Sequence, residues 1–137
     1  MKAISKIRIF VLLIITTLII SCEEIEKNQE ITVTRNDYIG LWTCTEVPIA
    51  KTMYFDCEIS IDGSSEDKIK IQNFAGLNQI ATVKVNGKSL ILPKQTLNGN
   101  TIEGFGSYVN KNYITWQYYV KVGNSDSSMY NTNFNRK

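Results

Sequence analysis

From Tyr38 onward, apolar and polar residues alternate in short runs that are separated by turn-forming residues. The runs are rich in Ile, Val, Thr, Tyr and Phe, which favour β-strands, and Gly, Asn, Ser and Asp cluster between them. No run shows the spacing of an amphipathic helix. The pattern predicts eight strands, at residues 38–47, 52–62, 68–74, 79–85, 89–93, 101–109, 113–122 and 128–134.

Alternation with a period of two assigns one face of several predicted strands to the core. In the seventh strand that face carries Ile114, Trp116, Tyr118 and Val120. The connections are short, and the Asn-Gly pair at 86–87 is typical of a tight type I′ hairpin. Eight short strands with short connections predict an all-β antiparallel meander, closed as a barrel or folded as a β-sandwich.

Proline and glycine refine two of the predicted strands. Pro93 is expected to end the fifth strand, where its missing N–H is tolerated. In the sixth strand, Gly104 and Gly106 share one face and Phe105 lies on the other. Two glycines on one face either admit a bulky neighbour or mark a bend in the sheet.

The first strand carries a short motif, Gly40-Leu41-Trp42, that resembles the Gly-x-Trp opening of lipocalin-like (calycin) barrels. The run around Trp116 is similar to that of small lipocalin-like lipoproteins of Bacteroidota. The resemblance implies an up-and-down barrel in which the first tryptophan closes one end. Lipocalins also carry a late arginine that stacks on this tryptophan. Because no arginine lies between Arg35 and Arg136, we expect a broader lipocalin-like barrel rather than a ligand-carrying lipocalin proper.

The start of the chain has the layout of an export signal. Lys2, Lys6 and Arg8 form a basic beginning, and an apolar run at 9–20 follows. This run is too short to cross a bilayer comfortably, since a spanning helix takes about 20 residues.

The segment Ile19-Ile20-Ser21-Cys22 resembles the lipobox of bacterial lipoproteins. The resemblance implies a signal peptide at 1–21 and acylation of Cys22, with fatty acids such as palmitate. The alternative is an ordinary cleaved signal with a chance cysteine. We expect a tether over 22–34 and a single β-domain over 35–137, because the residues after Cys22 are polar and charged.

The predicted anchor changes the charge of the protein and its location. Removal of residues 1–21 takes away three basic residues and no acidic one, which turns the formal charge of +2 into −1. No basic patch then argues for nucleic acid. We expect an outer-membrane protein held in the bilayer through acylated Cys22. The acidic residues behind Cys22 resemble a surface-export signal, which leaves both cell-surface and periplasm-facing positions open.

Candidate chemistry is sparse. The chain contains no histidine, which excludes Ser-His-Asp and Cys-His catalysis as well as histidine-ligated zinc or haem. There is no glycine-rich phosphate loop. We therefore expect no enzyme, no cofactor and no metal site.

Two further cysteines, Cys44 and Cys57, fall on the predicted inner faces of neighbouring strands. If they lie directly opposite each other, Trp42 faces Ile59 and the two apolar faces align. An oxidising exported location favours a disulfide between them, and two small buried thiols are the alternative.

Four residues are the best candidates for an open barrel end: Trp42, Glu46, Phe105 and Tyr118. Glu46 shares a face with Trp42, and aromatic side chains with a polar group suit a binding site. The sequence favours a non-enzymatic binding protein for a small molecule, a glycan or a protein partner. The alternative is a structural or interaction subunit of an outer-membrane complex, with a fully packed barrel.

Overall fold

The computed structural model describes residues 32–47 and 51–137. They form eight strands and two short 3₁₀ helices, η1 and η2. In chain order the elements are η1 (Arg35–Tyr38), β1 (Gly40–Val47), β2 (Met53–Ile61), β3 (Lys68–Gln72), η2 (Phe74–Gly76), β4 (Ile80–Asn86), β5 (Ser89–Leu97), β6 (Asn100–Asn110), β7 (Tyr113–Val122) and β8 (Ser128–Arg136). The expected signal peptide, Cys22 and most of the tether lie outside the described residues.

Each strand pairs antiparallel with the next, and β8 pairs antiparallel with β1 to close a barrel. The all-β, eight-stranded meander is thus confirmed, and the β-sandwich alternative is wrong. Closure matters physically because it pairs every strand on both sides and leaves no open sheet edge. The hydrophobic core lies inside the barrel.

The predicted inner faces are confirmed in the middle of the barrel. Ile114, Trp116 and Tyr118 of β7 are buried, and so are Ile69 and Ile71 of β3. The two glycines of β6 lie opposite this β7 face. A Cβ atom on Gly106 would lie 2.8 Å from the Trp116 ring, and one on Gly104 would lie 2.4 Å from the Gln117 carbonyl oxygen. The glycines therefore admit a bulky neighbouring strand.

Strand β5 runs four residues beyond its predicted end at Pro93. The β5–β6 ladder changes register between Leu92 and Gln95, which absorbs the proline as an irregularity. The Gln95 side-chain amide then replaces missing ladder bonds to β4. It accepts a hydrogen bond from Thr82 N and donates one to Thr82 O, both at 2.9 Å. This exchange keeps the backbone of β4 satisfied where the proline interrupts the sheet.

One end of the barrel is closed by η1 and two side chains. Trp42 is fully buried and donates a hydrogen bond from Nε1 to Tyr38 O at 2.9 Å. The Arg136 guanidinium lies 4.3 Å from the centre of the Trp42 ring. It also donates hydrogen bonds to the carbonyl oxygens of Ile39 at 2.6 Å and Asp37 at 2.5 Å. A late arginine does stack on Trp42: it is Arg136, the last residue of β8.

The folded domain begins earlier than expected. Val33 is buried in the core, although it falls within the predicted tether. Thr34 then caps η1, because its N and Oγ1 donate hydrogen bonds to Asp37 Oδ2 at 2.7 and 2.9 Å. The polar character of this segment did not indicate where the domain begins, because among its described residues Val33 is the single apolar one that packs into the core.

The register of β1 and β2 differs from the expected one by two residues. Cys44 lies opposite Phe55, and Cys57 lies opposite Trp42. A shift by two leaves every side chain on its predicted face, so alternation alone could not reveal it. Both cysteines are buried free thiols at diagonal positions, where Cα atoms are typically about 7–8 Å apart. A disulfide between them would need a backbone shift, and it stays a prediction.

We expect Arg136→Gln to lower the free energy of unfolding by about 2–4 kcal/mol, because it removes charge-assisted hydrogen bonds and the contact with the Trp42 ring. Urea unfolding at neutral pH measures the change. Lys137→Gln is the matched control, since the neighbouring Lys137 makes only an exposed ion pair with Asp56 and should be nearly neutral. Equal effects of the two substitutions would contradict the role of Arg136.

Candidate functional site

The opposite end of the barrel is where β1 ends and β2 begins. There, η2 turns inward between β3 and β4 and buries Phe74 completely. The Phe74 ring packs against Trp116 and Tyr118, with centroid distances of 5.1 and 4.9 Å. Phe74 thus fills the middle of the barrel and separates this end from the end closed by Trp42.

The position of η2 depends on Asn73, which has a positive φ of 61°. Asparagine tolerates this conformation better than most residues. Its side chain donates a hydrogen bond to Asp56 O and accepts one from Asn78 N, both at 2.8 Å. These bonds tie the loop to β2 and hold the Phe74 side chain in the interior.

The main polar feature of this end is the carboxylate of Glu46, which is only 5% exposed. The Tyr118 hydroxyl, from β7, donates a short hydrogen bond to Glu46 Oε2. Thr132 lies opposite Glu46 in the β1–β8 ladder, and its hydroxyl donates to the Tyr118 oxygen at 3.3 Å. Three neighbouring strands therefore bring one carboxyl and two hydroxyl groups together in the interior.

Burial controls the ionisation of this group. Loss of hydration raises the pKa of Glu46, and the hydrogen bonds with Tyr118 and Thr132 offset part of that rise. Burial also raises the pKa of Tyr118, so this hydroxyl stays protonated and acts as the donor. Among the described residues, no Lys or Arg forms an ion pair with Glu46. When ionised, the Glu46 carboxylate is a buried negative charge that only neutral groups among the described residues compensate.

A cavity of about 230 Å³ opens beside Glu46. Its wall is mostly apolar, with Asn100 as the second polar side chain. The apolar lining residues include Met53, Leu77, Val120, Val122 and Tyr130. The Tyr130 ring stacks on Tyr118, with a centroid distance of 5.8 Å and an angle of 19° between the rings. An apolar cup with a few converging polar groups has the general form of a small-molecule site.

The structure brings together two of the four predicted site residues, Glu46 and Tyr118. Trp42 lies at the other end of the barrel, although it shares a face of β1 with Glu46. Phe105 is on the outer wall and 55% exposed, because Gly104 and Gly106 take the inward positions of β6. The inclusion of Trp42 and Phe105 at one open end was therefore wrong.

Sequence analysis missed Thr132, Tyr130 and Asn100. A signal was present for the first two, since Tyr130 and Thr132 alternate with buried Phe134 on the inner face of β8. A polar residue on such a face marks a place where hydrogen bonding must be satisfied. Asn100 stands at the first position of β6, and alternation cannot tell which loop closes over a cavity.

The outer wall of β5–β8 carries a second feature, which we call the outer apolar patch (Ile91, Phe105, Tyr119 and Met129). All four side chains are between 41% and 55% exposed. Ile91 pairs with Phe105 across β5 and β6, and Tyr119 pairs with Met129 across β7 and β8. A groove of about 460 Å³ lies between Phe105 and Tyr119.

No family model matches the chain, and no curated protein matches it. Within the part of the chain that the structure describes, none of the helices has the length and hydropathy needed to span a bilayer.

We expect Glu46 to make stability depend on pH in an unusual direction. Its pKa in the folded protein lies above the ordinary value of 4.5, so the folded state holds this proton more tightly than the unfolded state. The resulting stability is complete below the unfolded pKa and is lost as pH rises through the folded pKa. Urea unfolding between about pH 4 and pH 8 should show this loss in the wild type and not in Glu46→Gln.

Glu58→Gln is the matched control for this measurement, since Glu58 is an exposed glutamate on β2. This variant should keep the wild-type pH profile. If the curves of wild type and Glu46→Gln stay parallel over the whole range, Glu46 has no raised pKa.

Proposed function

We propose that this protein is a non-enzymatic, membrane-anchored lipoprotein that binds a small molecule in the Glu46 cavity of its barrel. One observation carries the proposal: a buried carboxylate, hydrogen-bonded by Tyr118, lines an apolar cavity at the one barrel end that Trp42 and Arg136 do not close. Burying a carboxylate without an opposite charge is costly. A site that bears this cost is better suited to a ligand than to stability alone.

Two features support a lipocalin-like domain of the kind found in Bacteroidota lipoproteins. The barrel has the eight-stranded up-and-down topology that the resemblance implies. The Gly-x-Trp tryptophan, Trp42, also carries a stacked arginine from the last strand, Arg136. With this contact present, the main departure from the lipocalin pattern disappears.

The chemistry of the domain supports binding rather than catalysis. The chain has no histidine, and the described residues contain no cluster of three or more His, Cys, Asp or Glu side chains placed for a metal. Burial raises the pKa of the Cys44 thiol and keeps it protonated, so it is a poor nucleophile. Glu46 is a buried carboxylate without a second carboxylate beside it among the residues that line the cavity.

The lipid anchor is proposed from residues 1–22 of the sequence. The basic start, the apolar run and the Ile-Ile-Ser-Cys segment support cleavage before Cys22 and acylation of that residue. The anchored barrel would then face either the periplasm or the cell exterior of the outer membrane. Several acyl chains on one cysteine would hold it there firmly.

A second candidate function is that of an interaction subunit in an outer-membrane complex. The outer apolar patch favours it, because contiguous exposed apolar surface commonly marks a protein interface. The two functions use different surfaces, so they predict different effects of substitution at Glu46 and at Phe105.

Native mass spectrometry tests ligand binding by the mature protein purified after export. We expect a co-purifying mass that is lost on denaturation and that is absent from Glu46→Gln, because this variant loses the carboxylate of the cavity. Glu58→Gln should retain the extra mass. A bare wild-type mass, together with partners crosslinked at the outer apolar patch, would favour the interaction subunit instead.

Metabolic labelling with palmitate tests the anchor. Cells that produce the whole chain should label it and hold it in the membrane fraction, whereas Cys22→Ala should remove both the label and the membrane attachment. Cys44→Ala is the control, since it removes a buried thiol and should leave labelling intact. Unlabelled wild-type protein that is still cleaved would indicate an ordinary secretory signal.

A further inference from the structure

We infer that the ligand of the Glu46 cavity is an organic ammonium ion, a small amine whose charged nitrogen pairs with Glu46 while its hydrocarbon part fills the cup. This inference rests on the proposed small-molecule function and specifies its ligand class. It follows from the charge, the lining and the size of the cavity.

The charge argument begins with the partners that Glu46 has. Tyr118 and Thr132 offer neutral hydroxyl groups. The ion pairs among the described residues join Lys70 to Asp62, Lys84 to Asp67 and Lys137 to Asp56, and none of them involves Glu46. Among the described residues, no Lys or Arg lines the cavity. A ligand cation would therefore supply the opposite charge that a buried carboxylate requires, with hydrogen bonds stronger than neutral ones.

The aromatic wall favours the same ligand class. Tyr118 and Tyr130 stack as a pair beside the carboxylate, and Tyr130 lines the cavity directly. The face of a tyrosine ring attracts ammonium groups. An anion would gain nothing from this wall and would be repelled by Glu46.

The remaining lining sets the size and polarity of the rest of the ligand. Met53, Leu77, Val120 and Val122 provide an apolar surface for a hydrocarbon or aromatic group. The volume of about 230 Å³ is below the range of about 300–1,000 Å³ usual for drug-sized ligands. A compact arylamine or alkylamine fits these conditions better than a peptide or an acyl chain.

The pH dependence of amine binding provides a second test of the inference. Burial raises the pKa of Glu46, and a bound ammonium ion would lower it. The Tyr118 hydroxyl donates to Glu46 and accepts from Thr132, and Tyr130 and Asn100 line the cavity with Glu46. Among the described residues, no other carboxyl, Lys or Arg side chain lines it. Amine binding should therefore tighten as pH rises through the pKa of Glu46, with release of a proton.

Isothermal titration calorimetry on the mature protein, with a matched buffer titration, tests the inference with three similar probes: 2-phenylethylamine, 2-phenylethanol and phenylacetate. At pH values above the Glu46 pKa, we expect the amine to bind about tenfold or more tightly than the alcohol, since a charge-assisted hydrogen bond is worth that factor. Phenylacetate should bind most weakly. Glu46→Gln should reduce the amine to the level of the alcohol, and Glu58→Gln should not.

The outcomes separate the two proposals. If the alcohol or phenylacetate binds as tightly as the amine, the ammonium inference fails and small-molecule binding stands. If none of the three probes binds to wild type or to Glu58→Gln, the ammonium inference fails, and the co-purifying mass in native mass spectrometry decides whether small-molecule binding fails with it. Tyr118→Phe keeps the carboxyl group of Glu46 but removes a hydrogen bond that lowers its pKa. Measured at a pH above this higher pKa, the variant should retain the preference for the amine, and it provides a second test if Glu46→Gln misfolds. Loss of that preference in a folded Tyr118→Phe protein would overturn the inference.

Discussion

The contact between Arg136 and Trp42 closes one end of the barrel. The Arg136 guanidinium covers the tryptophan ring and donates hydrogen bonds to carbonyl oxygens of the η1 segment and of Lys111, in the β6–β7 turn. One side chain thus joins the beginning of the domain, a hairpin turn and the last strand. A planar guanidinium with several donors can make these bonds at once, which an ammonium group cannot do. This end of the barrel is therefore filled by described side chains, and the Glu46 cavity lies at the other end.

A second arginine organises the same end of the barrel. Arg35 Nη1 donates to the carbonyl oxygens of Asp62, Ser65 and Lys68, at 3.4, 2.5 and 3.3 Å. Backbone carbonyl groups of the loop thus surround a fixed positive charge. At the opposite end the buried charge is negative and has no fixed cation among the described residues. The barrel is therefore electrostatically asymmetric along its axis, with two arginines bound to backbone carbonyl groups at the closed end and a buried glutamate bound by a hydroxyl group at the other.

Local pattern predicted the strands well, because two-residue alternation reports which face meets the core. It could not predict features that depend on contacts between distant residues. The stacking of Arg136 on Trp42 forms only when β8 closes on β1, so nothing near either residue signals it. The η2 turn depends on positive φ at Asn73 and Ala75, and alanine gives no sign of that conformation. The irregularity in β5 depends on the Gln95 side chain, whose amide replaces backbone hydrogen bonds to Thr82.

For the candidate site, the sequence predicted which side chains point inward but not where they lie along the barrel axis. Alternation placed Trp42 and Glu46 on one face, and that was right, yet four residues of strand separate them by about 13 Å at the usual rise. Whether the two residues share one cavity depends on which side chains fill the interior between them. Phe74 enters from η2 and packs against Tyr118 and Trp116, so the middle of the barrel is solid. The space that remains is the shallow cup above it, where one carboxylate and one tyrosine pair meet. A ligand of the proposed kind would be held there by its charged group and a short apolar part, and a long chain along the barrel axis would have no room.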